Sequence, residues 1–236
     1  MSLTTSLRQA GSYLFDLIFP ISCVICGREE TYLCQSCLDR LPRVPKQICL
    51  ACGQSAPYGK THPGCISRRA VDGSIAGLNY QDGRVSRIVR IFKYNFVSDL
   101  AGPLAQPVLA GVREQGLTGY FAQFVLVPVP LHPRRHNWRG FNQAELLAHA
   151  LAGQLGIPVE SGLIARQKFT KPQVKLSREE RKRNLADAFA VCADVANKKI
   201  LLVDDVITSG ATANELAELL KRKAAAEVWV IAAAHG

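Results

Sequence analysis

The chain has 236 residues, of which 48% are apolar, so it is long enough for one full α/β domain and a small accessory module. This composition indicates a globular protein, and no apolar run is long enough to span a bilayer. The formal net charge is +10, and residues 134–183 alone hold 11 Lys and Arg against 4 Asp and Glu. Such a basic field attracts pyrophosphate, nucleotides or nucleic acid, although many charge runs only form a solvated face.

Residues 1–19 are the first predicted element, an amphipathic helix that Pro20 ends. The stretch is short, contains Asp16 and lacks a small-residue cleavage site, so we interpret it as a helix that packs on the protein and not as a signal peptide. We therefore expect a cytoplasmic protein. In that compartment thiols stay reduced, and paired cysteines more often bind a metal than each other.

A cysteine-rich module follows this helix. Three Cys-x-x-Cys pairs and one His-x-x-Cys pair provide eight candidate zinc ligands: Cys23, Cys26, Cys34, Cys37, Cys49, Cys52, His62 and Cys65. Two intervening residues let both thiolates of a pair reach one metal from a tight turn, and Gly27 and Gly53 permit the positive φ that such turns need. The pattern predicts two tetrahedral Zn²⁺ sites.

The pairing of these ligands stays open in the sequence. The simplest arrangement is sequential, with the first four ligands on one ion and the last four on the other, but a cross-braced arrangement fits the same spacing. A disulfide scaffold is the alternative to zinc, and the expected reducing compartment argues against it. Cys192 stands alone in the sequence and is predicted to be a buried, inert thiol.

The composition changes near residue 70, where we place a domain boundary between residues 1–70 and 71–236. Strand and helix patterns alternate beyond it, which favours a mostly parallel, doubly wound α/β sheet. The predicted strands are 74–80, 124–127, 199–203 and 227–233, and the predicted helices include 85–92 and 100–112. Residues 189–191 are predicted to lead the chain back to the sheet.

Two basic segments lie between the predicted strands. The first, with Arg134, Arg135, His136 and Arg139 around Trp138, is predicted to be a loop before a helix that starts near Gln143. The second runs over residues 166–184, lacks a clean apolar period and is predicted to be a mobile loop. Trp138, Phe141 and Phe169 could stack nucleobases, although Phe141 fits the apolar face of the following helix and is expected to pack in the core.

The stretch 200–212 carries the most informative pattern. A short apolar run is followed by Asp204 and Asp205, and then by a turn and a helix with apolar residues at helical spacing. N–H groups at the start of that helix would bind a phosphate, and two ionised carboxylates would accept hydrogen bonds from vicinal ribose hydroxyls. The candidate phosphate-binding residues are Thr208, Ser209, Gly210, Ala211 and Thr212.

This stretch resembles the 5-phosphoribosyl-1-pyrophosphate (PRPP) loop of type I phosphoribosyltransferases. Nearly the whole chain is similar to the competence protein F (ComF/GntX) family. Besides the PRPP-type loop, the similarity rests on the cysteine pairs, the sequence Val127-Pro-Val-Pro-Leu-His132, the Arg139-Gly-Phe-Asn-Gln143 motif and the 172–184 region. The resemblance implies a type I phosphoribosyltransferase fold preceded by a small zinc-binding module of the double-ribbon or treble-clef kind.

The resemblance also implies roles for particular residues. Asp204 and Asp205 would hold the ribose of PRPP or a nucleotide, and residues 208–212 would hold the 5′-phosphate. Pyrophosphate would be contacted by Arg139 and by Arg178 and Arg181 of the 166–184 segment, which would close over the site. Mg²⁺ would bridge pyrophosphate and ribose oxygens. Some purine-type enzymes of this superfamily have an Asp three residues after the acidic pair, where this chain has Thr208, so the motif contains no general base.

Two functions are consistent with these features. The first is a phosphoribosyltransferase-like protein that binds PRPP or a nucleotide and acts in DNA uptake or utilisation, where it handles single-stranded DNA beside competence or DNA-processing proteins. The second is an active PRPP-dependent phosphoribosyltransferase of nucleotide metabolism with an unidentified acceptor.

Overall fold

A computed structural model describes residues 21–68, 70–94, 97–167 and 188–236 of the chain. The chain divides into two compact units, Met1–Leu41 and Pro42–Gly236, which we call the first and second unit. The helix predicted over residues 1–19 lies outside the described residues. The boundary predicted near residue 70 remains a prediction of the sequence. No helix within the described ranges is long and apolar enough to cross a membrane.

The first unit is small and built around cysteines. Its described part contains one short helix, α1 (Gln35–Leu38), and an isolated antiparallel bridge between Ser22 and Glu29. Cys34 lies at the N-cap of α1, as the position of the second Cys-x-x-Cys pair predicts.

The second unit is organised around a four-stranded parallel sheet. Its strands are β1 (Gly73–Asn79), β2 (Phe124–Pro128), β5 (Lys199–Ile207) and β6 (Glu227–His235), in the order β1-β6-β5-β2. The continuous apolar sequence of β5 fits a central strand, since Leu201 and Leu202 point to opposite faces and both are fully buried.

The described part of the second unit also contains six α-helices. They are α2 (Gly83–Tyr94), α3 (Ala101–Glu114), α4 (Thr118–Phe121), α5 (Pro133–Arg139), α6 (Gln143–Leu155) and α7 (Ala211–Arg222). Helix α3 packs on β1, α6 on β5 and β2, and α7 on β6. The apolar spacing predicted for α7 is confirmed, because the residues it buries are Ala213, Leu216, Ala217 and Leu220.

Two sequence-based expectations are wrong in detail. The segment around Trp138 is predicted to be a loop but forms α5, which begins with Pro133 at its first turn and ends at Gly140 in the left-handed conformation. The acidic pair does not follow β5 but lies within it, since this strand extends to Ile207. Residues 189–191 lead the chain back towards β5, as predicted, and form β4 (Phe189–Val191), which pairs antiparallel with β3 (Ile164–Arg166) in a separate two-stranded sheet.

Candidate functional site

A cleft of about 420 Å³ lies at the carboxyl ends of β2 and β5, where open parallel sheets place their ligands. Carboxylates, cations and aromatic rings line it together, which is the composition of a site for a charged ligand with a flat or sugar-like part. Its polar and aromatic lining includes Lys93, Tyr94, Arg135, Trp138, Arg139, Arg166, Asp204, Asp205 and Thr212.

The two carboxylates are held side by side at the floor of the cleft. Asp205 is 8% exposed and forms an ion pair with Lys93, with 2.9 Å between Oδ1 and Nζ. The Asp204 Oδ1 accepts a hydrogen bond of 2.8 Å from the Asp205 N–H. Burial, and next the negative charge of Asp205, raise the pKa of Asp204 to about 7. This carboxyl is therefore poised to change charge near neutral pH.

Lys93 compensates part of this negative charge. Burial alone would lower the pKa of Lys93, but the attraction of Asp205 and the hydrogen bond to it raise the pKa above the ordinary value. Lys93 therefore stays protonated, and it lies at the end of α2, far from Asp205 in the sequence.

A hydrogen-bond network fixes the backbone at Lys93. The Gln143 side chain donates from Nε2 to the Lys93 carbonyl at 3.2 Å and accepts from Arg139 at 3.1 Å. Asn142 caps α6 by accepting from the Ala144 N–H, while its Nδ2 donates to the carbonyl of Val129 just beyond β2. The Arg-Gly-Phe-Asn-Gln motif thus connects α2, β2 and α6 around the acidic pair.

Three arginines form the cationic wall of the cleft. Burial, and next the charge of Arg135, lower the pKa of Arg166 to about 10, and the pKa of Arg135 is lowered by burial and by Arg139. The guanidinium of Arg139 is buried, and its Nε has no hydrogen-bond partner among the described residues. Cations that are desolvated and close together favour the binding of an anion with several oxygens.

The turn that precedes α7 has the geometry of an anion site. Gly210 is the N-cap with φ of +67°, and no side chain caps the helix, so the first N–H groups of α7 can bind an anionic ligand. Thr208 and Ser209 are exposed in the turn, and Ala211 and Thr212 are half-buried at the helix start. Thr212 lines the cleft. The five residues predicted to hold a phosphate therefore surround one helix N-terminus.

The eight predicted zinc ligands form two clusters. Cys23, Cys26, Cys34 and Cys37 form one, and Cys49, Cys52, His62 and Cys65 form the other; within each, the ligand atoms lie within 4.8 Å of one another. In this geometry the ligands are grouped as in the sequential pairing and not as in the cross-braced one. Gly27 and Gly53 both adopt φ of +74°, as the predicted turns need.

The ligand chemistry of both clusters fits zinc. In the first, the Ser36 hydroxyl and then the backbone at Cys37 lower the pKa of Cys34 to about 6, which favours the thiolate that binds metals. In the second, the His62 Nε2 is 3.1 Å from the carbonyl of Ser55, which can only accept, so Nε2 carries the proton. The His62 Nδ1 is then free of hydrogen and faces Cys52 Sγ at 3.4 Å.

The second cluster is attached to the sheet of its own unit. The buried side chain of Gln47 bonds both the N–H and the carbonyl of Ala76 in β1, at 2.9 and 3.1 Å. Leu50, which lies between Cys49 and Cys52, packs against Gly210, where an added Cβ would lie 2.9 Å from Leu50 Cδ1. The turn that holds two metal ligands is therefore in contact with the candidate phosphate turn.

Comparisons with known proteins agree with this architecture. The double zinc ribbon domain matches residues 14–66, and the phosphoribosyl transferase domain matches residues 142–235. The chain is 35% identical to the DNA utilization protein YhgH of Salmonella typhimurium, over 84% of this chain and 88% of that protein. It is 31% identical to competence protein F of Haemophilus influenzae, over 90% of this chain and 96% of that protein. The chain belongs to the competence protein F family.

Solved structures are more distant. A purine phosphoribosyltransferase from Pyrococcus horikoshii is 18% identical, covers 66% of this chain and 74% of its own, and gives a TM-score of 0.31. That likeness is too weak to support an argument. The assignment of this competence protein F family member to the phosphoribosyltransferase fold rests on the matching domain and on its parallel sheet.

The site in this family member includes residues that the sequence does not single out. The structure brings together most of the predicted site residues, namely Asp204, Asp205, Arg139 and the 208–212 turn. The other two, Arg178 and Arg181, lie outside the described residues. Lys93 has no local signal in the sequence, because it lies on a helix and its partner Asp205 lies on a strand more than 100 residues further along the chain. Cys192, predicted to be buried, is exposed in the structure, because it follows the short edge strand β4.

Loss of a cluster should be measurable as loss of zinc. We expect the wild-type protein to hold two zinc ions per chain, one in each cluster. The variants Cys23→Ser and Cys49→Ser should each hold one zinc ion, because each variant lacks a thiolate of a different cluster. Elemental analysis of the purified proteins measures this. Cys192→Ser is the matched control and should retain both ions. Wild-type zinc content that neither cluster variant lowers would contradict the assignment.

The raised pKa of Asp204 predicts a pH-dependent stability. Between about pH 4 and pH 7 the folded protein retains a proton that the unfolded chain has lost, so this carboxyl lowers stability as the pH rises through that window. Asp204→Asn should therefore become progressively more stable than the wild type from pH 4 to pH 7, as measured by urea denaturation. Asp99→Asn is the control, because it shows how the loss of an exposed carboxylate alone changes the stability. A stability difference for Asp204→Asn that stays constant with pH would contradict the shift.

Proposed function

We propose that the cleft binds the ribose 5-phosphate part of PRPP or of a nucleotide, in a protein that acts in DNA uptake or utilisation. One observation carries this proposal: the Asp204–Asp205 pair lies in the same cleft as the start of α7 and the arginine wall. The carboxylates can accept hydrogen bonds from the hydroxyls of PRPP, and the helix N–H groups can bind its 5′-phosphate. The guanidinium groups can pair with its pyrophosphate.

The acidic pair would accept hydrogen bonds from the 2′- and 3′-hydroxyls of the ribose. The N–H groups at Ala211 and Thr212, with the hydroxyls of Thr208, Ser209 and Thr212, would bind the 5′-phosphate. Arg135, Arg139 and Arg166 would neutralise pyrophosphate, and Mg²⁺ would enter with PRPP, held mostly by the oxygens of that ligand. Arg178 and Arg181 remain predicted contributors from the closing segment.

Phosphoribosyl transfer is the chemistry that such a site supports. The bond between the ribose C1′ and pyrophosphate breaks as an acceptor attacks C1′, and positive charge develops on the ribose while negative charge leaves with pyrophosphate. The arginine wall would stabilise the leaving charge and the carboxylates the sugar. Because Thr208 takes the place of an acidic residue, the motif offers no base for the acceptor, so a binding role is the more direct proposal.

Calorimetry with PRPP and Mg²⁺ tests this proposal. We expect saturable binding to the wild type and at least a tenfold weaker affinity in Asp205→Asn, because that change removes a charged hydrogen-bond acceptor from the ribose. Asp204→Asn is a second variant that leaves the Lys93 ion pair intact and should also weaken binding. The matched control is Asp99→Asn. Wild-type protein that binds neither PRPP nor a nucleotide would overturn the proposal.

A second function is the handling of single-stranded DNA. Relatives named for DNA utilisation and competence support it, as do the exposed Arg134 and the aromatic Trp138 on α5. DNA lacks the 2′-hydroxyl, so the acidic pair would hold a deoxyribose less well than a ribose. A DNA strand would therefore bind along the basic surface of α5 and not at the floor of the cleft.

Anisotropy of a labelled oligodeoxynucleotide across a salt series tests the second function. Affinity should fall steeply as salt rises, because lysines and arginines that contact phosphates release counterions. Arg134→Gln should weaken binding and reduce the salt slope, while Arg113→Gln on α3 is the matched control. An affinity that does not respond to ionic strength would exclude a groove that tracks phosphates.

A further inference from the structure

Two aromatic side chains are exposed at the mouth of the cleft. Tyr94 is 48% exposed and Trp138 is 60% exposed, and their ring centroids are 5.9 Å apart at an interplanar angle of 57°. Both line the cleft that contains the acidic pair. Large aromatic rings are usually buried in a monomeric protein, so two adjacent exposed rings in a polar cleft need an explanation beyond packing.

The rings are held in place by the network that positions the acidic pair. The guanidinium of Arg139 lies 4.7 Å from the centroid of the Tyr94 ring, and the same guanidinium is fixed by Gln143. Tyr94 is the residue next to Lys93, whose ammonium pairs with Asp205. The position of the aromatic pair is therefore fixed relative to the carboxylates.

The size of the cleft leaves room for more than a sugar phosphate. A volume of about 420 Å³ lies within the range of sites that enclose a whole small ligand. The acidic pair would bind the hydroxyls of a ribose 5-phosphate, and the start of α7 would bind its phosphate. The remaining surface has exposed aromatic faces beside a cation, a combination that binds flat, π-rich groups.

We propose that Tyr94 and Trp138 form a stacking subsite for the nucleobase of a ribonucleotide whose sugar is held by Asp204 and Asp205. This inference rests on the proposed function, since the sugar contacts are those of the preceding subsection. Stacking on an aromatic face accepts any base, because every base has a π-face. The subsite therefore confers a preference for nucleosides over base-free phosphosugars and little selection among bases.

Tryptophan fluorescence reports on the subsite directly. The chain has two tryptophans, of which Trp229 is fully buried in β6 and Trp138 is exposed. Adenosine 5′-monophosphate should quench the emission of Trp138 on binding, whereas PRPP, which has no base, should quench it far less. Trp138→Phe leaves Trp229 as the single emitter, and its signal should not respond to either ligand.

Calorimetry gives the energetic test. Trp138→Ala should weaken adenosine 5′-monophosphate by about fivefold to a hundredfold, with a much smaller effect on PRPP, because only the nucleotide loses a stacked base. Trp138→Phe should recover most of the nucleotide affinity, since a phenyl ring still stacks. Tyr58→Ala is the matched control, an exposed aromatic residue that does not line the cleft.

The outcomes separate this inference from the proposal on which it rests. If PRPP and nucleotide both bind the wild type and Trp138→Ala weakens them equally, the stacking subsite is wrong and the phosphoribosyl site stands. If an oligodeoxynucleotide quenches Trp138 and the nucleotide does not, the aromatic pair belongs to a DNA surface and the inference is overturned. If neither PRPP nor nucleotide binds the wild type, both are overturned.

Discussion

The ion pair between Lys93 and Asp205 is the interaction on which the site depends. Two adjacent carboxylates at the end of a central strand repel each other, and burial adds to the free-energy cost of ionising both. One half-buried ammonium group 2.9 Å from Asp205 offsets part of that cost. The charge of Lys93 also lowers the pKa of Asp204, so without Lys93 this acid would be easier to protonate, and a protonated carboxyl accepts hydrogen bonds from hydroxyl groups less well.

The rest of the cleft follows from the way in which Lys93 is held. Gln143 fixes the backbone of Lys93, and Asn142 ties the start of α6 to the end of β2. Arg139, held by the same glutamine, lies on the cationic side of the cleft and beneath Tyr94. A short motif therefore determines where the acidic, cationic and aromatic parts of the site lie. The cleft has two carboxylates at its floor and three arginines in its wall, which suits a ligand that has both hydroxyls and phosphates.

Local sequence patterns predict the parts of this site whose residues are close in the sequence, and they miss the contacts that only tertiary packing creates. The β5–turn–α7 segment and the cysteine pairs are recognisable because their residues are neighbours in sequence, and turn geometry brings such residues together. Lys93 and Asp205 belong to different elements, and only the packing of α2 beside β5 makes them partners. Helix α5 is missed because its apolar face is too short to show a period, although Pro133 at its start and Gly140 at its end are ordinary boundary signals. Cys192 is misjudged because apolar neighbours indicate burial in a strand interior, whereas β4 is a three-residue edge strand.

Leu50 gives the metal site a structural role beyond its own module. It lies within the turn that holds two ligands of the second cluster, and its side chain packs against the glycine that starts α7. A zinc ion held by these four ligands would therefore also help to keep this glycine, and the helix terminus beside it, in place. A substitution that distorts the metal turn is therefore expected to displace the start of α7 as well, so the mechanical stability of this helix terminus is coupled to that of the second cluster.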